Sequence, residues 1–496
     1  MGGTLRIGVA RLASLDPAEA SPVSPSAAIV ADLLFDGLTV VRTGSDAAEP
    51  RLAESWVTPD SGRTWQFTLD ATARFSNGRL VTAADVEFSL ERVAAKGPSS
   101  LAAARLDGLT GFAPFVTGAT TDLAGIRAVD EQTVELVFDR AEGAVAELLA
   151  APAFGIVPRE SVETSTPSFA EAPAFGSGPF SLAGRDGDVL HLVRVTEGAA
   201  LLDGVDVHLF DDLSVAYDAF VDGELDWALL PPGRADEAAE TFGADGFVPF
   251  QAEQFFAFNL ASPTFADVRF RRAIAHAIDR DAIVNAVLFA RAEPLTTIVP
   301  PGVPGAAEDG DRCGEACAFL PDQARALLAE AFPAGGPAVP EVFLDFDDGV
   351  DEAAIAGIVE QNLEAVGIPV TLRPKPPQEY EQFLVSGQQQ LFRLGWIGAY
   401  PSPDAYLDPL FRTGSPDNVT GFSDPAVDDL LARAAAAATV PERLDLLAQA
   451  EATILQAAPI IPLAQFRLLS VSADDVRDLV LSAAGTFAAE TVWLAR

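Results

Sequence analysis

The chain has 496 residues, 49% hydrophobic and 21% charged, which is enough for large packed cores and excludes a disordered polymer. Its net charge of −40 excludes a nucleic-acid or anionic-lipid surface as partner, because such a surface repels phosphate. No run approaches the roughly eighteen apolar residues of a membrane span.

The first strand is expected at Thr4–Val9, where period-two alternation runs into the turn Leu15-Asp16-Pro17. A helix follows over Ala27–Leu34 and ends at Asp36-Gly37. Thr64–Asp70 places Trp65, Phe67 and Leu69 on one face and polar residues on the other, the pattern of a half-buried strand. Asn77-Gly78 marks a tight turn, and Thr82–Arg92 carries Val86, Leu90 and Val93 at helical spacing. The pattern fails between Pro98 and Gly125, which is expected to be loop-rich and includes Phe112 and Phe115. Thr133–Phe138 is a strand, and Phe175–Phe180 is a turn feeding a strand pair with His191 and His208.

The second half changes character. Strands at Glu341–Phe346, Ile368–Leu372 and Leu391–Trp396 alternate with helices at Asp351–Val366 and Gln378–Ser386. This β-α-β-α-β order signals a parallel sheet covered by helices. Gly367 is the expected C-cap of the first of these helices. Two more helices are read at Pro425–Ala437 and Pro441–Ala457, the second with Thr439 and Glu442 at capping-box spacing. Phe466–Val471 and Thr491–Leu494 are strand-like.

Chemistry-bearing motifs are sparse. Cys313 and Cys317 lack further Cys or His neighbours for a metal site, and they stand one residue too far apart for the usual redox pair. In an exported protein they are expected to close a small structural disulfide on a surface loop. His191, His208 and His276 have no ligand partner at useful spacing, so no metal or other cofactor is expected. Gly176-Ser177-Gly178-Pro179 reads as a turn, not a nucleophile elbow, and no phosphate loop occurs. Acidic pairs such as Asp347-Asp348 are read as solvated surface in a chain with 72 acids.

Four groups of residues, in order along the chain, carry a resemblance. They are Leu52–Trp56 with Phe75–Gly78 and Thr82–Val86; Gly176–Phe180; Phe258–Leu260 with Val268–Ile274 and Ala277–Arg280; and Gly395-Trp396 with Pro401–Asp404 and Phe422–Pro425. Together they resemble family 5 of the bacterial extracellular solute-binding proteins, which includes dipeptide, oligopeptide and nickel binders. The resemblance implies an α/β, two-lobed periplasmic-binding-protein type II fold (cluster C) with an extra subdomain in lobe one. Lobe one is then expected to hold residues 1–36, 171–252 and 466–496, with the subdomain at 37–170 and lobe two at 253–465. The implied role is non-enzymatic: the extracellular subunit of an ABC importer, a monomer that delivers a peptide-sized solute to a membrane permease. Met1 before Gly2 and Gly3 is then expected to be a start added after removal of an export signal. The location implied is the cell surface, as a lipoprotein, or the periplasm.

In the oligopeptide-binding relatives, an Arg three residues before a Trp is followed, three residues after it, by an Asp that takes the peptide's amino group. Arg393 and Trp396 match, but the Asp position is Ala399. A buried ammonium without a carboxylate is expensive, so simple free peptides are expected to bind poorly. Arg393 is expected to clamp an anionic group, or else to form an internal salt bridge. Trp396 and Tyr400 are expected to stack on a ring or sugar, or to pack in the core. Val23 and Ser24, in the loop after the first turn, and Gln254 and Phe256, at a hinge crossing, are further candidates, each expected either to be structural or to touch the ligand. Two alternatives stand beside this reading: a binder of an oligosaccharide or other non-peptide anionic solute, and a secreted hydrolase of acidic surface.

Overall fold

Strand β1 (Thr4–Ala10) buries Leu5, Ile7 and Val9, as its alternation requires. The computed structural model describes residues 2–164, 167–195, 200–307 and 310–496. Helix α1 (Pro25–Leu34) starts where Ser24 accepts from Ala27 N–H at 3.3 Å and Pro25 takes the first turn. Strands β2 (Ala53–Val57), β3 (Thr64–Leu69), β4 (Ile126–Ala128) and β5 (Thr133–Val137) form a separate antiparallel sheet in the order β2-β3-β5-β4. Helix α2 (Ala83–Ala94) covers it, so that Phe67, Leu69, Val86, Leu90 and Leu136 share one core. Thr82 N–H and Oγ1 donate to Asp85 at 2.9 and 2.7 Å and fix the start of α2.

The stretch read as loop-rich, 98–125, contains two short helices, Leu101–Ala104 and Phe112–Val116. Each is about one turn long, too short to show a period. Ala103, Leu106 and Phe112 are buried in the subdomain core, with Phe115 packed against it. The Gly-Ser-Gly-Pro turn has a structural cause. A Cβ on Gly176 would lie 2.2 Å from Leu34 O, and one on Gly178 would lie 2.5 Å from Leu34 C. Only glycine lets this turn meet the end of α1. Ser177 Oγ donates to Ile156 O at 2.7 Å.

The remaining strands build one eleven-stranded sheet. They are β6 (Phe180–Asp186), β7 (Val189–Arg194), β8 (Gly204–Phe210), β9 (Trp227–Leu229), β10 (Phe247–Phe258), β11 (Ala292–Pro294), β12 (Val342–Asp347), β13 (Val370–Lys375), β14 (Leu391–Ile397) and β15 (Ile460–Ser472), with β1. The order is β13-β12-β14-β10-β15-β9-β1-β8-β7-β6, with β11 on β15. The β12-β13 and β12-β14 pairs are parallel, as the β-α-β-α-β pattern requires. β10 and β15 run antiparallel through both lobes, and their pairing slips between Pro249 and Glu253. On one side of the slip, Phe250 and Leu468 join the core of β1 and β8. On the other, Phe256, Ile461 and Leu463 join the core of β12. Two strands therefore connect two independent cores, which is the mixed α/β, two-lobed architecture the resemblance implies.

The two chain ends meet in lobe one. Arg6 and Arg496 share the buried carboxylate of Asp226, and a Cβ on Gly3 would touch Leu494. Cys313 and Cys317 are joined, with their Cα atoms 5.5 Å apart. Among the described residues no helix is long and apolar enough to cross a membrane.

Candidate functional site

Between the two lobes three chain segments converge. The loop Ala20–Pro22 comes from lobe one, Gln251 from the hinge strand β10, and Ala399–Pro401 from the end of β14. With Ala102, Ala151–Ala153 and Ala484 they line a crevice of ≈ 20 Å³, room for one water-sized group. Among the described residues none that lines it is charged; alanine and proline dominate, with Ser21, Gln251 and Tyr400 the polar members. Tyr400 also walls a second cavity of ≈ 390 Å³ between the subdomain and the helices Asp404–Phe411 and Pro425–Ala435. That cavity is strongly charged, with Arg105, Arg140 and Arg412 facing a larger number of carboxylates.

Trp396 is fixed edge-on by Nε1 donating to Ala405 O at 2.8 Å. The Arg105 guanidinium stands over its ring, 5.8 Å from the centroid, and pairs with Asp417 at 3.6 Å. Residue order alone does not bring a subdomain arginine to this ring, because Arg105 lies in the stretch without period. Tyr400 packs against both the subdomain core and the core under Trp396.

Arg393 lies at the C-terminal edge of the parallel strands. Its Nη1 is 3.5 Å from Asp347 and its Nη2 is 3.3 Å from Glu352, in the first turn of the helix Val350–Ala365. Both ion pairs are long for charge-assisted bonds, and Nε is buried without a hydrogen-bond partner among the described residues. Tyr380 Oη donates to Arg393 O at 2.7 Å and steadies the strand. Arg393 and Trp396 are an odd number of residues apart on one strand, so they project to opposite faces of the sheet.

The other sequence candidates fall elsewhere. Phe256 is fully buried in the core of lobe two. Gln254 is buried on the same strand, and neither atom of its carboxamide has a partner among the described residues. Val23 is exposed, and Ser24 is occupied as the cap of α1. His191 pairs with Asp206 at 2.7 Å on the outer strands of lobe one, and His276 Nδ1 lies 3.0 Å from Ala318 O. Burial holds His208 below the usual histidine range. Among the described residues no group of three or more His, Cys, Asp or Glu converges as a metal site would require.

One hinge residue escaped the sequence reading. Glu253 is buried and neither carboxyl oxygen has a hydrogen-bond partner among the described residues. Burial pushes its pKa well above the carboxylate range, and the charge of Glu451 pushes it further. In the unfolded chain this carboxyl ionises above a pH of about 4.3, whereas in the fold it stays protonated to much higher pH. Folding therefore loses stability as pH rises from the lower value toward the higher one. Glu253→Gln cannot ionise, so its melting temperature is expected to exceed that of the parent by a margin that grows between about pH 5 and pH 8. Parallel melting-temperature curves for the two proteins across that range would refute the assignment.

The comparisons with known proteins agree with this geometry. The model of bacterial extracellular solute-binding proteins, family 5 (Middle), matches residues 47–418. The chain is 26% identical over 465 residues to the dipeptide-binding protein DppE of Bacillus subtilis (strain 168), covering 90% of this chain and 84% of that one. It is 28% identical to the probable deoxycholate-binding periplasmic protein YgiS of Escherichia coli (strain K12), covering 91% and 85%. It is also 28% identical to the periplasmic murein peptide-binding protein MppA of the same organism, covering 92% and 86%. The unliganded open form of MppA superposes with a TM-score of 0.89 at 24% identity, covering 99% of this chain and 97% of that one. A second structure of MppA from Escherichia coli gives 0.69, covering 100% and 99%.

Proposed function

The chain belongs to family 5 of the bacterial extracellular solute-binding proteins, and from that membership we propose that it captures a peptide-sized organic solute between its lobes and delivers it unaltered to an ABC permease. The observation that carries this reading is the convergence of Ala20–Pro22, Gln251 and Ala399–Pro401 on one crevice, where Tyr400 joins the subdomain core to a core of lobe two. A guest held there touches both lobes only when they close, so its binding energy shifts the population toward the closed form. No step of this cycle makes or breaks a covalent bond. The protein works as a monomer outside the cytoplasmic membrane, exported by a signal peptide and held as a lipoprotein or free in the periplasm.

The relatives named for dipeptides and murein peptides favour a peptide guest. A non-peptide anionic solute is the second reading. It is favoured by the relative named for deoxycholate and by the uncharged crevice, which offers no carboxylate to an ammonium. Arg393 stands outside the crevice lining and pairs with Asp347 and Glu352, so it reaches an anionic guest only by leaving both ion pairs. Arg393→Ala is expected to weaken binding of an anionic guest by at least about tenfold. Unchanged affinity in a calorimetric titration removes Arg393 from the site. Guest identity is read by mass spectrometry of what the purified protein releases on denaturation. Recovery of a compound that the protein has chemically converted ends the transport reading.

A further inference from the structure

The crevice has two properties that together select its occupant. The first is the lining: alanine methyls, prolines, and no charge among the described residues. An ammonium or carboxylate placed there loses its water and gains no countercharge, which strongly disfavours it. The second is an unused acceptor. Gln251 is 2% exposed, and its Oε1 has no hydrogen-bond partner among the described residues. Its backbone is fully engaged: the amide donates to Ala483 O at 3.0 Å, and the carbonyl accepts from Gly398 N–H and Tyr406 Oη, both at 2.9 Å. The residue is thus pinned to both flanks of the crevice while its side-chain oxygen lacks a donor. It stands inside the pairing slip of the hinge, between Pro249 and Glu253.

We propose that this crevice is a selectivity pocket for an uncharged end group of the guest, which donates one N–H to Gln251 Oε1. The guest class is a peptide whose amino end is blocked by a small acyl group, not a free-amine peptide. The methyl-sized volume accommodates the end of an acetyl-sized cap, and the amide N–H that follows the cap supplies the missing donor. This inference rests on the reading of the protein as a binder of a peptide-sized solute.

The test uses the purified protein and a randomised mixture of tri- to pentapeptides, half of it N-acetylated, with retained peptides identified by mass. Acetylated members are expected to be enriched by at least about tenfold over their free-amine counterparts. Gln251→Leu, checked for an unchanged melting temperature, is expected to abolish most of that enrichment. Ala399→Asp places a carboxylate in the same lining on the other lobe and is expected to reverse the preference. Equal or better retention of free-amine peptides by the parent protein overturns the inference and leaves the transport reading standing. An unchanged preference in Ala399→Asp also overturns it. Retention of no peptide of either kind overturns the inference together with the peptide reading on which it rests.

Discussion

Arg443→Met is expected to destabilise the protein by about 3–5 kcal/mol, the range found when one member of a buried ion pair is removed. The Arg443 side chain is 4% exposed and that of its partner Glu147 is 3% exposed. Arg443 also donates to Gly143 O at 2.9 Å and lies 3.5 Å from Asp404. It belongs to the helix Val440–Ala457 of lobe two, whereas Gly143 and Glu147 belong to the subdomain. The substitution leaves a buried carboxylate with no cation and opens the contact between the two bodies. The check is the midpoint of urea unfolding, followed by tryptophan fluorescence. A midpoint change worth less than about 1 kcal/mol shows that water replaces the lost partner. Adding Glu147→Leu is expected to restore most of the stability, because two apolar groups fill the space without stranding a charge.

Glu451→Leu is expected to have a similar effect, about 3–5 kcal/mol, for a different reason. Glu451 is 1% exposed and gathers four donors: Thr297 Oγ1, Ile298 N–H at 2.7 Å, Val299 N–H at 2.9 Å and Arg312 Nε at 3.1 Å. Leucine strands the amides of Ile298 and Val299, while Thr297 Oγ1 keeps Val299 O at 3.2 Å and Arg312 is partly exposed, and each buried donor without an acceptor costs about 1–3 kcal/mol. Part of the loss is offset because Glu253 no longer faces a second carboxylate. The loss is therefore expected to be larger in a Glu253→Gln background at pH near 8, where no carboxyl is relieved, and a double-mutant cycle measures the difference directly. Additivity of the two substitutions would show that the carboxyls do not interact.

The amphipathic parts of this fold were legible from residue order, and the doubly buried parts were not. Trp65, Phe67 and Leu69 announce β3 because one face of its sheet meets a core and the other meets water. Strands β10 and β15 are buried on both faces through most of their length. Such strands carry no alternation, so β10 went unread and β15 was read only from Phe466 onward. The division at 252 and 465 places boundaries inside strands that both lobes share. The candidate site divides the same way. Arg393, Trp396 and Tyr400 stood out by residue type and by position in a motif. Gln251, Glu253 and Arg105 did not, because their meaning lies in missing partners and in contacts between segments far apart in the chain. Phe256 shows the opposite case: its place beside a hinge made it a candidate, and its face of β10 meets the core of lobe two, which fits the structural alternative.

The meeting of both chain ends on Asp226 has a practical corollary. A donor and an acceptor dye attached at the two termini would keep a fixed separation however the lobes swing, and would be blind to the guest. Moving one dye to the exposed Val385, beside the outer helix of lobe two, turns the same molecule into an optical gauge of occupancy.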